Sequence, residues 1–243
     1  NDCIKTYIQP KVDMRTGRIV GGEALVRWQR EDGSMVYPDE FIPVIEKNGY
    51  VLDVDDYMWD KVCYYIKQLE KEGKTPVPIS INVSRMHVYQ EDFIDRIKKI
   101  TSKYDINPKL IPLEITESAF TSEESSLYRK IKSLQDCGYR FSMDDFGSGY
   151  SSLGMLKDEH VDEVKIDKTF VDDIATDKGR ILLKNVIQMI GALGIDMIAE
   201  GVETKEQADF LVNNGCIYAQ GYYYYRPMPI EDFVLLLEKS GKE

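Results

Sequence analysis

Short apolar runs alternate along this chain with longer amphipathic ones, and nothing else in the sequence constrains the fold as strongly. The runs "PISINVS" (78–84), "IPLEITE" (111–117), "RFSMDDF" (140–146), "VDEVKID" (161–167), "DMIAEGVE" (196–203) and "YAQGYYY" (218–224) are strand-like in length and in β-branched or aromatic content. Between them, "EDFIDRIKKITSKY", "SSLYRKIKSLQDCG" and "ILLKNVIQMIGALG" carry apolar residues near helical spacing, the last two ending at glycine. Strands alternating with helices of this length make βα units and a mostly parallel sheet. An opening hairpin joins "IKTYIQPKV" to "IVGGEALVRW" through "DMRTGR", and no glycine-rich dinucleotide fingerprint is present. Hairpin plus six strands fit an α/β fold closed as a barrel better than an open doubly wound sheet. No linker or repeat interrupts residues 1–243, so a single domain is expected. The chain starts at Asn1 directly on a strand-like segment, without an initiator Met, and is expected to be a fragment of a longer protein.

In a parallel barrel the C-terminal ends of the strands converge on one face, where barrel chemistry is found. The polar residues of this chain fall there: Glu23 in "GGEALVRW", Asn82 in "SINVS", Glu114 and Glu117 in "LEITE", Asp144 and Asp145 in "MDDF", Lys165 in "VKID", Glu200 and Glu203 in "AEGVE", and Gln220 in "AQGY". Any one acid could cap the next helix, but capping does not account for seven strands delivering polar groups to one mouth. Clustered carboxylates repel, and burying them unpaired costs several kcal/mol or raises their pKa values. Divalent cations remove the conflict. Only His87 and His160 are present, so a zinc site built on histidine or a Ser/His triad is disfavoured and oxygen must supply the ligands. Glu23, Asn82, Glu114 and Asp144 offer four hard oxygens suited to Mg²⁺ or Mn²⁺. If Asp144 bridges two ions, the adjacent Asp145 can turn to the second with Glu200 beside it. Such an ion pair activates water against a phosphoester.

The remaining composition limits partners and compartment. A net charge of −11 argues against polymeric nucleic acid as a partner, while leaving room for a small phosphate ligand at a cation-neutralised site. Cys3, Cys63, Cys137 and Cys216 form no framework, which points to reduced thiols and a cytoplasmic setting, either free or as the cytoplasmic part of a membrane-anchored protein.

In order and spacing, "EAL", "INVS", "LEITES", "DDFGSGYSSL", "VKID", "AEGVET" and "QGYYYYRP" resemble the pattern of the EAL-domain cyclic-di-GMP phosphodiesterases, from "YIQP" to "RPMP". The resemblance implies a TIM-like barrel with an antiparallel first strand, dependence on two Mg²⁺ or Mn²⁺ ions, and hydrolysis of cyclic di-GMP to linear 5′-pGpG in bacterial second-messenger signalling. It implies one ion on Glu23, Asn82, Glu114 and Asp144, and another on Asp144, Asp145 and Glu200. Lys165 and Glu200 are then expected to orient and deprotonate the attacking water. Arg27 resembles a phosphate contact, and Gln9, Leu25, Glu203, Gln220 and Tyr222 resemble positions on or behind the substrate side. Glu117 with the loop Phe146, Gly147, Ser148 and Gly149 resembles the element that couples the metal site to a dimer contact, so a homodimer and an upstream sensor or cyclase domain are the implied partners. His87 departs from a common Gln, and "YYYYRP", read here as strand packing, is more aromatic than usual.

Ca²⁺ takes about 6–8 ligands in looser geometry and acidifies water less, so it is expected to occupy the site and inhibit. Two other readings remain open at this point. One is a module that binds cyclic di-GMP without cleaving it, and the other is a barrel enzyme that enolises a different phosphorylated or carboxylated metabolite.

Overall fold

The structure, a computed structural model, describes residues 3–119, 124–147, 156 and 161–240. The chain opens with β1 (Ile4–Asp13), β2 (Ile19–Gln29) and the short β3 (Met35–Val36), followed by helices α1 (Pro38–Lys47) and α2 (Val51–Lys71). It continues as β4 (Ile79–Asn82), α3 (Arg85–Tyr89), α4 (Phe93–Tyr104), β5 (Leu113–Thr116), α5 (Glu124–Gln135) and β6 (Phe141–Phe146). The last third holds β7 (Glu163–Ile166), α6 (Lys168–Asp172), α7 (Asp177–Ala192), β8 (Asp196–Ala199), α8 (Lys205–Asn214), β9 (Tyr218–Ala219), β10 (Met228–Pro229) and α9 (Ile230–Ser240).

The expected barrel is present. Strands run in the order β1-β9-β8-β7-β6-β5-β4-β2, and β1 pairs with β2 to close the ring. Every pairing from β2 round to β9 is parallel, while β1 is antiparallel to both of its neighbours. The antiparallel strand follows from the hairpin: five residues, 14–18, separate β1 from β2, and a parallel crossover needs a dozen or more. Gly17 adopts φ +72° there, and Asp13 accepts from the Gly17 amide through its carbonyl and from Arg15 through its carboxylate.

Alternation along the strands sends apolar side chains outward to the helices and polar ones to the barrel axis. Leu113 and Ile115 pack in the outer core while Glu114 between them meets two lysines, and Val164 and Ile166 flank Lys165 in the same way. The outer layer is supplied by helices with one apolar stripe. In α2, Met58, Trp59, Val62, Cys63, Ile66 and Leu69 are buried at spacings of three and four. Helix α8 is bounded by local chemistry: Thr204 and Gln207 exchange capping hydrogen bonds at its start, and Gly215 ends it at φ +104°.

The tyrosine run corrects the sequence reading. Strand β9 ends at Ala219, and Tyr222–Tyr224 form a turn with Tyr222 and Tyr223 exposed. The amides of Tyr224 and Tyr225 donate to the Gly221 carbonyl and close the turn, and only glycine fits at its start, where a Cβ would lie 2.2 Å from the Val202 carbonyl oxygen. All four cysteines are free thiols, and among the described residues no helix is long and apolar enough to cross a membrane.

A carboxylate cluster at the barrel mouth

Lys165, fully buried on β7, organises the mouth of the barrel. Its ammonium lies 3.1 Å from Glu23, 2.8 Å from Glu114, 2.9 Å from Asp144 and 2.8 Å from Glu200, acids delivered by β2, β5, β6 and the end of β8. Sheet register brings them together: Asn82 stands beside Glu114 and Thr116 beside Asp144 in adjacent parallel strands. Gln220, just past β9, donates from Nε2 to Glu23 and to Glu200 (3.1 Å), tying opposite sides of the ring. Asn82 donates its amide to Glu23 Oε1 at 3.1 Å, which leaves its carbonyl oxygen as an acceptor.

Consecutive residues of a regular strand face opposite sides of a sheet, so Asp144 and Asp145 should not serve one site. The backbone resolves this. Register between β6 and β7 shifts between Met143 and Phe146, and Asp145 adopts φ +56°, a left-handed conformation that costs a non-glycine residue about 1–3 kcal/mol. The Asp145 amide donates to Asp144 Oδ1 at 3.0 Å and steadies the bend. Two carboxylate groups result, each with oxygens within 4.8 Å of one another: Glu23, Glu114 and Asp144, and then Asp144, Asp145 and Glu200. Asp144 belongs to both. With Asn82 the donors are all hard oxygens, the set a divalent cation of the Mg²⁺, Mn²⁺ or Ca²⁺ kind prefers.

Charge is unevenly spread over the cluster. Burial opposes ionisation of Glu114, yet Lys11 and Lys165 hold it well below the usual carboxylate range. Burial likewise opposes the charge of Lys165, and Asp144, Glu114, Glu200 and Glu23 outweigh it and raise the ammonium well above its ordinary value. Glu23 is raised by burial and by Glu114. Asp145 is pushed up to about 6, first by burial and then by Asp144; burial, with Asp144 and Glu23, pushes Glu200 to about 8 against the pull of Lys165.

These directions give a signed pH dependence. Asp145 and Glu200 hold a proton more tightly when folded than at their ordinary values of 3.8 and 4.5. Their contribution to stability is complete below about pH 4 and is lost as pH rises through about 6 and 8. The metal-free chain should therefore lose stability from this pair over that range. A divalent cation needs the ionised carboxylates, so it should bind more tightly, with proton release, across the same range. Thermal unfolding in chelator and calorimetry in buffers of different ionisation enthalpy check the two halves. Cation affinity that does not change with pH would contradict the assignment.

Beside the cluster lies a cleft of about 650 Å³ bounded by β2, α1, α2 and the ends of β4 and β6, with Glu23, Leu25, Arg27, Asn82, Asp144 and Asp145 in its wall. Its volume suits a nucleotide-sized ligand. Arg27 is half-buried over the Tyr7 ring (5.7 Å), and burial lowers its pKa. Gln9, paired with Glu23 across the hairpin, donates to the Tyr225 carbonyl at 3.3 Å. Tyr222 is exposed with the Arg226 guanidinium 4.2 Å above its ring. Glu203 stands apart: it is exposed on the rim in an ion pair with Lys168 at 2.6 Å. Glu117, just past β5, accepts from the Gly147 amide at 3.1 Å, and Phe146 is buried beside it. Ser148 and Gly149 lie outside the described residues.

Three residues of the network are absent from the sequence reading of the site. Lys11 on β1 reaches Glu114 from beneath, and its position two residues after Gln9, on the same strand face, was the available signal. Trp59 on α2 donates Nε1 to the Asn82 carbonyl at 3.0 Å, and Asp55 on α2 accepts from the Ser84 amide at 3.1 Å. His87 packs its ring 4.5 Å from Trp59 and sets Nδ1 2.9 Å from Asp55, so it touches no acid of the cluster but buttresses the strand end that carries Asn82.

The family model described as "EAL domain" matches residues 1–227. The signaling protein YkoW of Bacillus subtilis is 36% identical over 234 residues, covering 96% of this chain and 29% of its own length. The bifunctional diguanylate cyclase/cyclic di-GMP phosphodiesterase MucR of Pseudomonas aeruginosa is 31% identical over 94% of this chain and 33% of its own. The solved structure of the PaMucR phosphodiesterase in complex with c-di-GMP superposes with a TM-score of 0.90 at 30% identity, over 95% of this chain and 94% of that one. The chain thus spans about a third of the length of these two curated relatives.

Proposed function

The chain belongs to the EAL domain family, and from that premise we propose that it hydrolyses one phosphodiester of cyclic di-GMP to give linear 5′-pGpG. The observation that carries the reading is the sharing of Asp144 by two carboxylate groups at one barrel mouth, the arrangement that two neighbouring cations require. Glu23, Asn82, Glu114 and Asp144 would hold one Mg²⁺ or Mn²⁺, and Asp144, Asp145 and Glu200 the other. Bound there, the ions would polarise the phosphate and acidify water.

The chain's own residues do the rest. Glu200 accepts the proton of the attacking water, and Gln220 keeps that carboxylate turned inward. Lys165 stays charged, orients the nucleophile and offsets charge developing on phosphate. Arg27 and Leu25 face the ligand from the cleft wall, Arg27 as the phosphate contact. Gln9 braces the Tyr225 backbone, Tyr222 offers an exposed ring beside the cleft, and Glu203 acts from the rim through Lys168.

The same reading includes a homodimer coupled to the site through Glu117 and Gly147, an upstream sensor or cyclase partner, and a cytoplasmic location. What supports the partner is the bifunctional relative; what supports the coupling is the Glu117–Gly147 bond at the foot of the loop.

Exchanging the ion tests the enzyme against a mere binding module. Mg²⁺ and Mn²⁺ hold a tight octahedron, whereas Ca²⁺ accepts longer and more numerous bonds. With Mg²⁺ or Mn²⁺ the chain should cleave cyclic di-GMP; with Ca²⁺ it should bind the nucleotide and leave it intact. Calorimetry and chromatography on one preparation read both. Equal cleavage with Ca²⁺ would refute the geometric argument, and binding without cleavage under all three ions would favour the signalling module.

A further inference from the structure

Beneath the mouth, at the opposite end of the barrel, a cavity of about 220 Å³ is bounded by Lys11, Ser142, Arg140 and Glu163 among others. Lys11 is only 5% exposed and stands between this cavity and the acid cluster. Its Nζ lies 2.8 Å from Glu114 Oε1 and 3.5 Å from Glu163, while Lys165 lies 2.8 Å from the other oxygen, Glu114 Oε2. The two oxygens of Glu114 are thus claimed by different lysines.

These two contacts are not equivalent when a cation arrives. Lys165 has three further carboxylates within 3.1 Å and can give up Oε2 without losing its compensation. Lys11 has Glu163 at 3.5 Å as its other carboxylate, so it keeps Oε1. Glu114 is left with one oxygen to offer.

We propose that Lys11 is a specificity-determining residue of the metal centre: by occupying Glu114 Oε1 it restricts Glu114 to a single-oxygen ligand and so disfavours Ca²⁺ relative to Mg²⁺ or Mn²⁺. The chemistry is that of coordination number. Ca²⁺ gains from carboxylates that supply both oxygens and fill about 6–8 positions, whereas the smaller ions need only six bonds at near-ideal angles. Lys11 touches no substrate and is a positioning residue acting through Glu114. The inference rests on the metal-binding reading above.

The test is calorimetric titration of Mn²⁺ and of Ca²⁺ into the wild-type chain and into Lys11→Met and Lys11→Arg. Lys11→Met frees Oε1, so the ratio of Ca²⁺ to Mn²⁺ dissociation constants should fall about tenfold. Lys11→Arg keeps a donor on that oxygen and should hold the ratio near the wild-type value. If Lys11→Met fails to fold, Lys11→Leu, which likewise carries no hydrogen-bond donor, carries the comparison. A merely structural role would change both constants by one factor or neither, and that result would overturn the proposal. Mn²⁺ binding by the wild type with an unchanged ratio in the variants overturns this inference alone. No Mn²⁺ binding by the wild type overturns the metal centre and the inference with it.

Discussion

Asp144→Ala should abolish cleavage of cyclic di-GMP, lowering turnover about 10³-fold or more, equivalent to about 4 kcal/mol of lost transition-state stabilisation. Asp144 is the one acid common to both carboxylate groups, so its loss removes a ligand from each ion rather than weakening one. The fold should survive. Asp144 lies among Glu23, Glu114 and Glu200 and is no part of the apolar core, and deleting one of several like charges relieves repulsion. Glu23→Ala should behave similarly, since Glu23 also anchors Asn82 and Gln220. Circular dichroism with a product assay checks both variants, and wild-type turnover in either would end the ligand assignment.

Lys165→Met should have the largest effect on stability. The buried ammonium compensates four carboxylates, and removing one partner of such a cluster costs about 3–5 kcal/mol because the remaining charges are left unpaired. Metal should offset this loss: Mn²⁺ can supply the missing positive charge, so the variant should gain more in thermal stability from Mn²⁺ than the wild type does. Activity should remain low even when the ions restore stability, because the group that orients water is gone. Thermal unfolding in chelator and in Mn²⁺, with turnover on the same samples, reads all three. An equal response of both proteins to Mn²⁺ would show that Lys165 does not compensate the metal-binding acids.

The barrel and most of its mouth were legible because strand ends are local features. Glu23, Asn82, Glu114, Asp144 and Lys165 each lie in or at the end of a recognisable apolar run, and a parallel barrel must bring such ends together. Asp145 was legible as a residue but not as a geometry: its φ of +56° and the adjacent register shift depend on β7 pairing, which no window of sequence contains. Lys11 and Trp59 were missed for a related reason. Each acts across more than 20 residues of sequence, Lys11 on Glu114 and Trp59 on the Asn82 backbone, and their role appears only once β1 and α2 are packed. The tyrosine run misled because its aromatic content mimics a strand, whereas the Tyr224 and Tyr225 amides bond back to the Gly221 carbonyl and form a turn beyond the strand end.

Incubating the chain with cyclic di-GMP and Mn²⁺, and identifying the product by chromatography, addresses the central claim most directly. One opened phosphodiester should yield linear 5′-pGpG, in a reaction that a chelator stops and Asp144→Ala does not support. Recovery of intact cyclic di-GMP from Mn²⁺-loaded protein, or cleavage that persists in chelator, would contradict it.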